Sequence, residues 1–136
     1  MRKQTGEALS VKKSGDKIYI PDIYIPNEGD VIWINFDPQA GCEQMGHRPA
    51  VVISPMLYNQ RGLAIVCAIR TKEKEHPFEI KVPNNLKTKG VILVDQIKSL
   101  DWKVRKAKFK EKIDEETLYH IKEILNCIIL PSLETN

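Results

Sequence analysis

Cysteine is scarce in this chain: three residues, Cys42, Cys67 and Cys127, with no CxxC spacing between any two. An odd, scattered set builds neither a disulfide framework nor a zinc site. Cys67 and Cys127 lie in apolar surroundings and are expected to pack as small hydrophobes, whereas Cys42 falls in a polar stretch. The seven glycines never cluster as GxGxxG or as a P-loop, and no GxSxG elbow exists. Dinucleotide, nucleoside-triphosphate and α/β-hydrolase chemistry therefore have no local signature. His47, His76 and His120 stand apart without paired ligand spacing, so neither a metal nor a cofactor is expected. No apolar run approaches the roughly 20 residues of a membrane helix. The polar start, residues 1–10, lacks the apolar core of a secretory signal, and a cytoplasmic location is the expectation.

What remains is ordinary in bulk and informative in pattern. A length of 136 residues with 42% hydrophobic and 29% charged content suits one domain with one core. Residues 1–17 are polar and read as a tail; residues 17–20 offer a short strand limited by Pro21 and Pro26. From Gly29 onward, apolar runs alternate with turn residues. Strands are predicted over 31–36, 50–54, 63–69, 78–82, 90–94 and 103–109, with a helical turn at 56–60. Only the end reads as a true helix. Asp114 is the expected N-cap, Glu115 and Glu116 suit the helix dipole, and Leu118, Ile121, Leu125 and Ile128 make one apolar stripe before Pro131. Six short strands and one terminal helix imply a small, strongly bent sheet or barrel.

Three places carry polar chemistry. The stretch 41–54 packs two glycines, Glu43, Gln44, His47 and Arg48 into eight residues and then enters an apolar strand. Arg48, beside Pro49 at a strand start, reads either as a surface ion-pair former or as a functional cation. Arg70-Thr71 emerges directly after the buried run 63–69, either as a plain turn or as a site on a rigid strand end. The stretch 98–112 holds seven basic residues against two acidic ones, with Trp102 and Phe109 interleaved. That composition suits phosphate contact with base stacking, or equally a solvated edge guarded by lysines.

"GDVIWINFDPQAGCEQMGHRPAVVISPMLYN", residues 29–59, resembles the first signature block of the MazF/PemK (Kid) toxins of bacterial toxin–antitoxin pairs, including its E-Q pair and its G-x-R-P. "TKEKEHPFEI" (71–80) and "GVILVDQIKSLDW" (90–102) resemble the second and third blocks. The resemblance covers about 100 residues, from 29 to 129, leaving 1–28 as an N-terminal extension and 132–136 as a tail around a toxin domain at 29–131.

It implies a mainly β fold with a C-terminal helix, a small SH3-like (CcdB/Kid-type) β barrel that pairs as a homodimer. It also implies a metal-independent endoribonuclease that cuts single-stranded RNA, mRNA above all, and is silenced by a cognate antitoxin. Carried over by position, the catalytic arginine falls on Arg48, the catalytic threonine on Thr71 and the acidic residue on Glu43, with His47 and Gln44 as auxiliaries. Gln96, Lys98, Ser99 and Trp102, together with Lys72, would contact RNA. Cys42, and the basic neighbours Arg70 and Lys72 around Thr71, depart from the usual pattern and bear on which RNA sequence is admitted. Two alternatives share the fold: a toxin that binds gyrase, which uses a C-terminal Trp-Gly-Ile that this chain lacks, and a catalytically silent RNA-binding module.

Overall fold

Branched aliphatic runs, each closed by proline, glycine or aspartate, fold as six strands with a helix behind them. The computed structural model describes residues 23–36 and 47–130. The elements in chain order are β1 Asp30–Asn35, β2 His47–Val52, α1 Met56–Asn59, β3 Leu63–Arg70, β4 Glu79–Lys81, β5 Val91–Asp101, β6 Lys108–Lys112 and α2 Glu115–Ile129. All strands join one antiparallel sheet in the order β4-β5-β3-β2-β1-β6, curled into a half-barrel. The mainly β fold with a C-terminal helix is as expected. The tail at 1–17 and the strand expected at 17–20 lie outside the described residues.

The curl buries both faces of the sheet. Consecutive residues Val31 and Ile32, Val51 and Val52, and Val66 and Cys67 are all fully buried, which a flat one-sided sheet does not allow. Val31, Val51, Cys67, Ile69 and Ile92 pack under Ile121 and Leu125 of α2. Ile32, Ile34, Ala50, Val52 and Val66 form the second cluster, with Ile25 and Trp102. Each fully buried aliphatic chain stabilises the fold by about 2 kcal/mol. The bend is built into β5: a step of two along β3 (Cys67 to Ile69) is matched by a step of five along β5 (Ile97 back to Ile92).

Several expectations are corrected. The segment 103–107 is a turn, and β6 begins only at Lys108. The Asp101 carboxylate accepts the amides of Lys103 (3.0 Å) and Val104 (2.9 Å), a local arrangement that outcompetes a ladder. β5 runs on to Asp101 because its polar outer half, from Ile97, pairs with residues 63–67 of β3. Cys127 is exposed, and so is Ile128, because only Ile121 and Leu125 of the helix stripe are fully covered. The Asp114 cap forms as expected, accepting the Thr117 amide at 3.1 Å.

The two edges of the sheet are tied together. Glu111 of β6 accepts the amides of Lys87 (3.0 Å) and Thr88 (2.8 Å), which belong to the loop between β4 and β5. The Thr88 hydroxyl donates to the same carboxylate and receives Lys110 Nζ.

Candidate functional site

Arg48 owes its setting to the proline after it. Proline has no amide hydrogen to donate, and the β2–β3 ladder stops at Ala50↔Ala68, one residue past Pro49. On its other side β2 stays paired with β1, where Ile34 faces Arg48 and Trp33 faces Pro49. Arg48 is thus held by β1 at the point where β2 has lost its pairing with β3, and its side chain is exposed. Carried two residues on, the β2–β3 register brings Arg48 level with Arg70, the last residue of β3. Thr71, exposed, is the next residue.

Alternation sorts the remaining candidates by face. Ile34 belongs to the second cluster, so Arg48 opposite it shares that face. Lys98 faces Val66 of the same cluster, and its Nζ stands 5.9 Å from the centroid of the Phe36 ring. Lys98 and Arg48 are thus brought onto one face. Ser99 faces Ile65, which packs in the first cluster, and is set on the other side. His47 is also on the other side, stacked on Trp33 with ring centroids 5.9 Å apart. Gln96 and Lys72 are exposed. Glu43, Gln44, Cys42 and Met45 lie outside the described residues.

Trp102 must be withdrawn as a base-stacking residue. It is 5% exposed, and its indole N–H donates to the Asn59 carbonyl at 2.7 Å. Asn59 in turn donates to the carbonyls of Pro26 and Ser54, both at 2.8 Å. Ser54 and Asn59, the two ends of the "SPMLYN" stretch, therefore form a buried polar staple beside the second cluster.

Two residues near Thr71, Gly90 and Glu79, escape sequence reasoning, as does the partner of Arg70. Gly90 has φ +126°, and a Cβ there would lie 2.2 Å from the Arg70 carbonyl oxygen. Its absence lets the two chains touch beside Thr71. Arg70 donates through Nη2 to Glu79 (2.6 Å) and through Nε to the Lys72 carbonyl (2.9 Å). Glu79, whose side chain is 3% exposed, also accepts the amides of Lys74 (3.1 Å) and Glu75 (2.9 Å). Desolvation pushes the Glu79 pKa up, but those amides, with His76 and Arg70, outweigh it and hold the carboxyl below its ordinary range. The only signal in the sequence is the Arg70…Glu79 charge pair at the two ends of one connection.

Cys67 is the one strongly shifted thiol among the described residues. Burial, with help from Asp95, pushes it up to about 12, so it stays a neutral packing group. Among the described residues, no three His, Cys, Asp or Glu side chains gather as a metal-ligand set.

Curled sheet, terminal helix and a cationic strand end define a small β protein suited to gripping phosphate. Its family follows from comparison. The family described as "PemK-like, MazF-like toxin of type II toxin-antitoxin system" matches residues 27–129. The chain is 44% identical over 107 residues to the endoribonuclease toxin MazF of Escherichia coli (strain K12), across 78% of this chain and 96% of the relative. A crystal structure of MazF from Deinococcus radiodurans superposes with a TM-score of 0.72 at 39% identity, covering 79% of this chain and 98% of the other. A MazE–MazF complex from the same organism gives a TM-score of 0.72 at 33% identity, covering 81% and 100%. This chain belongs to the PemK-like, MazF-like toxin family.

Proposed function

We propose that this protein cuts single-stranded RNA, mRNA included, at the sheet end that carries Arg48, Thr71 and Lys98. It is an endoribonuclease toxin of the MazF type, the activity named for a relative 44% identical over most of its length. The observation that carries the assignment to this end is the exposure of Arg48 where Pro49 breaks β2 away from β3, on the face shared with Lys98.

RNA supplies its own nucleophile. Attack of the 2′-OH on the adjacent phosphorus expels the 5′ oxygen and leaves a 2′,3′-cyclic phosphate and a 5′-OH end. This route asks for no metal. Arg48 suits the charge that builds on the phosphorane, because its planar fork binds two oxygens and stays protonated. For the same reason it cannot accept the 2′-OH proton. His47 is turned to the opposite face against Trp33, so the role of base falls to Glu43. Thr71 hydrogen-bonds the scissile phosphate or the 2′-OH. Lys98 and Lys72, with Gln96, grip the flanking backbone and bases, whereas Ser99, on the opposite face, is left out of the grip.

Solved relatives are seen with a MazE antitoxin, and an antitoxin protein is the partner of this chain. The active form is a homodimer in the cytoplasm, where the antitoxin and mRNA meet it. A long transcript incubated with the protein and EDTA, followed by mapping of new 5′ ends, tests the reading. Cuts at a recurring short sequence bearing 5′-OH are expected, and light scattering should give twice the chain mass. Intact RNA, or ends bearing 5′-phosphate, would overturn the chemistry.

A further inference from the structure

We propose that Arg70 and Glu79 are positioning residues that set Thr71 for the reaction. The inference rests on the assignment of Thr71 to catalysis. The connection from β3 to β4 spans eight residues, 71–78, and a loop of that length has no intrinsic reason to present one hydroxyl in a fixed place. Here its two ends are clamped through one carboxylate. Glu79, the first residue of β4, receives the Arg70 guanidinium from the last residue of β3. It also receives the amides of Lys74 and Glu75 from the middle of the loop. Glu75 adopts φ +57°, a left-handed conformation that turns the chain directly after those two amides.

The grip extends to Thr71 itself. Arg70 Nε holds the carbonyl of Lys72, so the residues before and after Thr71 are tied to each other across it. From the opposite side Gly90 lies against the Arg70 carbonyl with no room for a Cβ. Ile69 and Ile80 point into the first cluster, so Arg70 and Glu79, next to them, stand on the face of Arg48 and Lys98. The Arg70–Glu79 pair therefore sits beside the reacting groups yet has its own charges satisfied. It acts by holding Thr71 rather than by touching the phosphate.

A double-mutant cycle separates holding from direct action. The probe is an oligoribonucleotide spanning a cut site mapped in the long transcript, cleaved under enzyme excess with EDTA. Glu79→Gln should lower the saturating cleavage rate roughly ten- to hundredfold, as small misplacements of reacting groups do, with half-saturation within about twofold. In a Thr71→Ala background the same substitution should change the rate by less than about twofold, since nothing is left to position. Equal factors in both backgrounds, or no loss from Glu79→Gln in the wild-type chain, would overturn the proposal while leaving Thr71 catalytic. A wild-type rate from Thr71→Ala would remove the Thr71 reading and this proposal with it. If Glu79→Gln fails to fold by circular dichroism, Arg70→Lys carries the same cycle: it keeps the charge and loses the fork that bridges Glu79 and Lys72.

Discussion

At the scale of single residues, the site depends on what proline and glycine cannot do. Pro49 cannot donate to β3, so Arg48 is freed; Gly90 has no Cβ, so β5 can enter against the backbone beside Thr71. Gly90→Ala should cost at least about 2 kcal/mol, from strain at φ +126° together with overlap on a backbone atom that cannot swing away. Urea denaturation measures this directly, and an unchanged midpoint would mean the contact is looser than described. Arg48 was legible only through the G-x-R-P of the family resemblance, since on local pattern an arginine beside proline at a strand start reads as well as a surface ion-pair former. Trp102 was not: a tryptophan among lysines reads the same whether it faces RNA or, as here, donates its N–H into a buried staple. Exposure is decided by the strand and turn that carry it, and residue type alone does not contain that.

Among elements, the apolar runs were readable and their ends were not. β3 and the core of β1 followed from branched aliphatic residues, and α2 from its cap and stripe. The start of β6 was missed because Asp101 folds the next residues into a turn, and the outer half of β5 because its polar residues gain their order from β3. The tie between Glu111 and the 87–88 amides was invisible, since it joins residues 23 and 24 positions apart. That carboxylate feels desolvation first, which raises its pKa. The Thr88 hydroxyl, the Lys87 and Thr88 amides and Lys110 prevail and hold it below the ordinary carboxylate range. A depressed carboxyl stabilises the fold above its unfolded pKa and loses that contribution as pH falls through the folded value. Glu111→Gln should therefore cost on the order of 1–2 kcal/mol at pH 7 and much less at pH 3. Urea midpoints for both proteins at the two pH values check this, and an equal difference at both would assign the tie no ionic character.

Across the whole molecule, the curl of the sheet brings separate sequence blocks to the proposed site. β1, β2, β3 and β5 bring Phe36, Arg48, Thr71, Gly90 and Lys98 toward a common region, although these residues span more than sixty positions of the chain. The family resemblance supplied the fold type and the expectation of the pair Arg48 and Thr71. The sorting of Lys98 from Ser99, and of Arg48 from His47, required the register. The central claim is that Arg48 stabilises charge during cleavage of RNA. The most direct test compares the wild-type protein with Arg48→Ala on one long transcript in EDTA, with matched melting temperatures. The account predicts cleavage slowed at least about a hundredfold, with residual RNA binding that weakens steeply as salt rises. Arg48→Ala cutting at the wild-type rate would contradict it.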